Sequence, residues 1–90
     1  MARFVVERFF PDGLVVPMTD DGAKVVGGIV DHNSECGVTW LTSYVTEDKS
    51  KTFCVYDAPD AEAVRRAADL NDLPVGAISR VRVLDPYFYF

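Results

Sequence analysis

Two neighbouring runs, VTWLTSYVTE at residues 38–47 and KTFCVYD at residues 51–57, decide the fold that this sequence predicts. Both runs alternate in side-chain character with a period of two and are rich in β-branched and aromatic residues, which is typical of β-strands. The short polar stretch Asp48, Lys49 and Ser50 separates them and favours a tight turn. The sequence therefore predicts a β-hairpin whose strands each have two usable faces.

The hairpin lies in the middle of a chain of 90 residues, which is enough for a single domain over residues 1–90. A strand at residues 3–10 precedes it, followed by a helix that starts near residues 19–21 and ends at Gly37. After the hairpin come a second helix with Asp57 as its cap and a last strand at residues 77–84. The order βαββαβ, with right-handed crossovers, predicts an antiparallel sheet with both helices on one face, the ferredoxin-like α+β arrangement.

Period-two alternation divides the strand side chains between two sides of this sheet. We predict that the side facing the helices, the helix side, carries an unbroken apolar core made of Phe4, Val6, Leu41, Val45, Phe53, Val55, Val81 and Val83. The other side, the open side, then carries a mixed aromatic and charged set, which is Val5, Glu7, Phe9, Trp40, Thr42, Tyr44, Thr52, Cys54, Tyr56, Ile78, Arg80, Arg82 and Leu84.

An aromatic surface of this size is larger than monomers usually expose, so the sequence predicts a homodimer in which two open sides face each other, as in dimeric α+β barrels. In that dimer Glu7 pairs with Arg80 or Arg82. The alternative, compatible with the first, is a cavity between the two sheets that holds a small organic ligand. Its polar lining would be Glu7, Tyr44, Cys54, Tyr56 and Arg80.

Composition excludes several classes of partner. The net charge of −5 and the pI near 4.6 argue against nucleic acid and anionic membranes, which require clustered Lys and Arg. No stretch reaches the length of a membrane span, and the start of the chain lacks the features of a signal peptide, so we predict a cytoplasmic protein. Cys36 and Cys54 are then expected to be thiols.

The last residues, DPYFYF at 85–90, end in four consecutive aromatic side chains. Aromatic area of this kind is expensive to leave in water, although chain ends are also where disorder concentrates. The sequence predicts a docked tail, either as a fifth strand at the sheet edge or across the neighbouring subunit.

One local cluster has residues that bind metals, at the end of the first predicted helix. Helical spacing brings His32 near Glu35 and Cys36, and it stacks Asp31 on Glu35. Imidazole with carboxylate or thiolate suits nickel or another divalent transition metal. The other interpretation is that His32 is favoured by the helix dipole and that the acids are solvated. The sequence contains no nucleophile motif, phosphate loop or metalloprotease signature, so an enzyme is the less favoured class.

Several strings of this sequence resemble a family of small bacterial proteins of unknown function whose characterised relatives bind nickel. They include VTWLTSYVT at residues 38–46 and KTFCVY at residues 51–56, with FVVER before them and LPV after them. The resemblance implies a ferredoxin-like homodimer that binds nickel near its surface and is not a known enzyme. It supplies no ligand positions, so the candidate ligands His32, Glu35 and Asp31 rest on their chemistry.

Two functions therefore stand as expectations. The first is a non-enzymatic nickel-binding protein that buffers or senses the metal through His32, Glu35 and Asp31. The second is a dimeric α+β barrel, enzyme or binding protein, that holds a small organic ligand between its sheets.

Overall fold

Six elements follow one another in the predicted order βαββαβ. The computed structural model describes residues 1–14 and 20–87, with the side chains of residues 20 and 21 left out. The strands pair antiparallel in the order β2-β3-β1-β4, which is the ferredoxin-like arrangement, so the predicted fold class is confirmed. The elements are β1 Ala2–Phe9, α1 Asp20–Glu35, β2 Thr39–Val45, β3 Lys51–Ala58, α2 Ala61–Leu70 and β4 Ile78–Val81.

The predicted faces were correct for β1 and wrong for β3 and β4. In the observed register Phe4 pairs with Tyr56 and Val6 with Cys54, and residues that pair directly share a face. Cys54, Tyr56 and Thr52 therefore lie on the helix side, where they are buried, while Phe53 and Val55 lie on the open side. In β4, Ile78 pairs with Val6 and packs on the core, and Val81 pairs with Arg3 on the open side.

A break in register explains why the predicted faces of β2 are wrong at its start and correct over the rest of the strand. The pairing with β3 shifts between Trp40 and Thr42, so Leu41 occupies a bulge. Because an extra residue in one strand changes the phase of alternation, Trp40 lies on the helix side and packs against the core, against the prediction. Beyond the bulge the predicted phase holds, since Tyr44 pairs with Phe53 on the open side.

Small side chains set the distance between α2 and the sheet. The buried face of α2 carries Ala63, Ala67 and Ala68 around Val64, and it contacts β3. Alanine under a helix lets the backbones approach closely, in keeping with the close packing of protein interiors. β3 turns Thr52, Cys54, Tyr56 and Ala58 toward the helix side and leaves Phe53 and Val55 on the open side. The core cluster consists of Phe4, Val6, Val38, Cys54, Tyr56, Ala58, Ala63, Val64 and Ala67.

The start of α2 differs from the prediction by three residues. Asp60, not Asp57, is the N-cap, and its side chain accepts a hydrogen bond from the backbone N of Ala63 at 2.8 Å. Asp57 instead belongs to β3 and accepts from Nε of Arg3 at 3.0 Å on the open side. The hydrogen bond and the charge of Asp57 raise the pKa of Arg3.

The hairpin turn is organised by the carboxylate of Asp48. Its Oδ1 accepts from Oγ1 of Thr46 at 2.7 Å and from the backbone N and Oγ of Ser50 at 3.0 and 2.7 Å. These bonds, led by the one from the Ser50 backbone, lower the pKa of Asp48 to about 2. Lys49, the next residue of the turn, has a φ of 61°, in the left-handed region that tight turns of this kind use.

We expect Asp48→Asn to lower the melting temperature at neutral pH and to lose that effect in acid. The folded-state pKa of Asp48 lies below its unfolded value, so its stabilisation is present above the unfolded pKa and is lost as pH falls toward about 2. Melting curves of the wild type and the variant should therefore converge across that window. Glu47→Gln, a neighbouring exposed acid, is the control. An NMR titration of Asp48 with an ordinary carboxyl midpoint would contradict the prediction.

The described part of the sheet has four strands, so the predicted fifth strand is not among them. Tyr87 is 86% exposed, and residues 88–90 lie outside the described residues. Docking of the aromatic tail therefore stays a prediction, as does capping of the first helix by residues 19–21. Among the described residues, no helix is long and apolar enough to span a membrane.

Candidate functional sites

The predicted metal site lies where the ends of the two helices meet. His32 is in the last turn of α1, and its Nδ1 lies 2.7 Å from Oδ1 of Asn71, the C-cap of α2. Because an amide oxygen can only accept, Nδ1 is the donor in this contact, and in the neutral imidazole the lone pair is then on Nε2. Metal-binding histidines are typically held by a hydrogen bond of this kind at one ring nitrogen, which leaves the other nitrogen, here Nε2, available to the ion.

A second asparagine fixes the orientation of the first. Nδ2 of Asn71 donates to Oδ1 of Asn33 at 3.3 Å, and the buried Asn33 also accepts from the backbone N of Val38 at 2.8 Å through its carbonyl. The network therefore joins the end of α1, the start of β2 and the end of α2. Sequence reasoning missed Asn33 and Asn71, since neither residue type nor spacing links two positions this far apart in the chain.

The other predicted ligands do not complete the site. Asp31 and Glu35 are exposed and Cys36 is a half-buried free thiol. Over residues 1–14 and 20–87, no three His, Cys, Asp or Glu side chains are grouped so that they could hold a metal ion. The donor chemistry of His32 therefore fits a borderline divalent ion, but the described chain offers only part of a coordination shell.

The residues predicted for a cavity between two sheets are divided between the sides of one sheet. Cys54 and Tyr56 lie on the helix side, whereas Glu7 and Tyr44 lie on the open side. Arg80 pairs in register with Phe4 near the sheet edge and is exposed. Within the chain the carboxylate of Glu7 lies 3.7 Å from Nζ of Lys51, and its pairing with Arg80 or Arg82 across a dimer interface stays a prediction. The five residues therefore share no single surface of the chain.

A cavity of about 550 Å³ instead lies on the helix side, between the sheet and α1. Its walls are mainly apolar and come from α1, from the bulge of β2 and from the segment after β1. The polar atoms that reach it belong to a small group of buried or half-buried side chains, which are Arg8, Trp40, Ser43, Thr52, Cys54 and Tyr56.

Arg8 is the charged group of this cavity, although its side chain is only 3% exposed. Nη1 donates to the carbonyl O of Pro74 at 2.7 Å and Nη2 donates to Oη of Tyr56 at 3.1 Å, whereas Nε is buried without a hydrogen-bond partner. Burial raises the pKa of Tyr56, so its hydroxyl is neutral and can accept. The sequence contained a signal for Arg8, since it shares the alternation of Phe4 and Val6.

The Cys54 thiol beside Arg8 is also perturbed. Burial favours the neutral thiol, but hydrogen bonds with Ser43 and Thr52 and the charge of Arg8 outweigh it, so the pKa of Cys54 is lowered. The inner end of the cavity is therefore a positive environment that favours anions.

The sequence and the fold were compared with known proteins. Residues 4–81 match a protein family described as "Nickel responsive protein SCO4226-like". The chain belongs to this family. The resemblance seen in the sequence is thereby confirmed, over most of the chain. No curated protein sequence matches significantly.

Among solved structures, the chain is similar to the crystal structure of SCO4226 from Streptomyces coelicolor A3(2). The TM-score is 0.75 at 17% sequence identity, and the match covers 93% of this chain and 100% of that one. At this identity the likeness supports the ferredoxin-like fold and leaves the site residues to be argued from this chain.

Proposed function

We propose that this chain is a non-enzymatic cytoplasmic protein that binds nickel, or another divalent transition metal, and buffers or senses it. The observation that carries the proposal is membership, over residues 4–81, of a family described as nickel responsive. The absence from the sequence of nucleophile, phosphate-loop and metalloprotease motifs favours binding over catalysis.

In this proposal the metal binds at the end of α1. His32 supplies the imidazole nitrogen through Nε2, and Glu35 and Asp31, within one helical turn of it, supply oxygen ligands. The hydrogen bond from His32 to Asn71 supports this role, because it fixes the tautomer and the ring orientation before the ion arrives. Water completes the shell, since the described residues provide too few ligands for a closed site.

We expect His32→Ala to abolish or strongly weaken nickel binding when chelator-stripped protein is titrated calorimetrically with nickel, zinc and copper. Asn71→Ala, which frees the imidazole without removing it, should weaken nickel affinity by at least about tenfold, since partners of metal-bound histidines typically contribute that much. Glu35→Gln should weaken it as well. Glu62→Gln, an exposed glutamate on α2 bound to Arg65, is the matched control and should bind like wild type.

Two results would count against this proposal. If wild type and His32→Ala bind nickel with the same affinity, His32 is not a ligand and the site lies elsewhere. If wild type binds none of the three metals at micromolar concentration, the chain does not bind metal itself and the family description has another basis.

We also propose that the chain forms a homodimer through the open side of its sheet. Phe9 and Tyr44 are 59% and 66% exposed there, beside the half-buried Val5, Phe53 and Val55. The charges on this side are paired within the chain, between Arg3 and Asp57 and between Lys51 and Glu7. An apolar strip whose neighbouring charges are already neutralised is suited to burial against a second copy.

A further inference from the structure

The charge of Arg8 is buried without a counter-charge in the described residues. The carboxylates that form ion pairs there bind Arg3, Lys51 and Arg65, and none lies within ion-pair distance of the Arg8 guanidinium. Its two hydrogen-bond acceptors, the Pro74 carbonyl and the Tyr56 hydroxyl, are neutral. An isolated buried charge is strongly unfavourable, and Arg cannot escape it by losing its proton. The guanidinium therefore favours an anion at this place.

The cavity beside Arg8 is large enough to hold more than an ion. Its volume of about 550 Å³ lies within the range of small-molecule sites. Val26 and Ile29 of α1 and Leu41 of the bulge contribute apolar walls, and Arg8, Thr52 and Tyr56 contribute polar groups.

Among the described residues, α1 contributes no member to the buried core cluster, whereas α2 contributes three. A Cβ built on Gly27 or Gly28 meets no atom within 4 Å, and Val25 and Val30 of the same helix are exposed. The glycines of α1 therefore do not serve close packing. By contrast α2 is pressed onto β3 through its alanines. The two helices therefore have different structural roles, since α2 packs on the core and α1 forms one wall of the cavity.

We propose that this cavity binds a small organic monoanion, a carboxylate with an apolar body, whose carboxylate bonds to Arg8 and whose body lies under α1. A guanidinium matches the planar carboxylate, and two of its five N–H groups are already used. One buried positive charge balances one negative charge. The mainly apolar walls give a doubly charged or fully polar anion such as phosphate little to bind. This site is independent of the nickel site.

The test uses octanoate as the probe, with octanol and octylamine as neutral and cationic analogues of the same chain length. Trp40 is the single tryptophan of the chain and lines the cavity, so its fluorescence reports on binding directly. We expect metal-stripped protein to bind octanoate at least about tenfold more tightly than octanol, since a hydrogen bond to a charged group is typically worth that much or more. Octylamine and inorganic phosphate should not bind.

Arg8→Met is the decisive variant, because it removes the charge and keeps an apolar side chain of similar length. The variant should bind octanoate no better than octanol. Arg66→Met, an exposed arginine on α2, should keep the wild-type preference. Equal affinity of wild type for octanoate and octanol, no octanoate binding at millimolar concentration, or full preference in Arg8→Met would each overturn the proposal. If Arg8→Met does not fold, Val26→Phe decides by filling the cavity while keeping Arg8: loss of octanoate binding supports the site, and unchanged binding overturns it.

Discussion

We expect Phe4→Ala to lower the free energy of unfolding by about 3 to 5 kcal/mol, the usual cost of truncating a buried phenylalanine. Phe4 is 5% exposed and lies in the central strand β1, opposite Tyr56 of β3 and Arg80 of β4. Its removal leaves a cavity that strands held on both sides cannot easily close. Since small domains are stable by only about 5 to 15 kcal/mol, the variant should be close to unfolding.

The measurement is urea denaturation followed by circular dichroism, with the protein dilute enough for all samples to be monomeric. Phe9→Ala is the matched control, because the same side chain of the same strand is 59% exposed. Its cost should be within about 0.5 kcal/mol, as for most surface substitutions. Equal losses in the two variants would contradict the face that the structure assigns to β1.

The order of elements could be predicted from the sequence, but the faces of two strands could not. Alternation in β3 separates Thr52, Cys54 and Tyr56 from Phe53 and Val55, and it says which residues share a face without saying which face is buried. Hydrophobicity favoured Phe53 and Val55. The pairing with β1 identifies the buried face, because Cys54 and Tyr56 pair with the buried Val6 and Phe4, and this register between distant strands appears only in the folded sheet.

The bulge of β2 shows a second limit. Nothing in TWLTSYV distinguishes Leu41 as an extra residue, since it is neither glycine nor flanked by one. The shift brings Trp40 to the helix side and aligns its indole Nε1 to donate to Oγ of Ser43 at 2.8 Å. A local irregularity of one residue therefore turned the aromatic residue predicted for the open side into a wall of the cavity.

Site residues that can be recognised from one stretch of sequence could be predicted, whereas those that depend on contacts between distant elements could not. His32 could be identified by its residue type and its place at a helix end, whereas Asn71, which orients it, comes from the other helix. Arg8 was overlooked because a charged residue in a strand normally indicates solvent. The alternation that assigned Phe4 and Val6 to the core also applied to Arg8, so a buried charge was already implied by the correct face of β1.

The second large effect is expected at Val55, in the middle of the open side, where it pairs with Val5 of β1 and Thr42 of β2. Sedimentation velocity over a range of concentrations should show a wild-type dimer and a Val55→Glu monomer. The substitution adds one buried, unpaired carboxylate from each copy to the interface, and such charges typically cost about 3 to 5 kcal/mol. The dissociation constant should therefore rise by at least about a hundredfold.

Val30→Glu is the control that tests whether an added negative charge weakens the dimer wherever it is placed. Val30 is an exposed valine of α1, on the layer opposite to the open side, so the same change there should leave the dimer intact. The melting temperature of Val55→Glu, measured where wild type is also monomeric, should change little because Val55 is only half-buried in one chain. A wild type that sediments as a monomer at all concentrations, or a Val55→Glu variant that still dimerises, would contradict the interface.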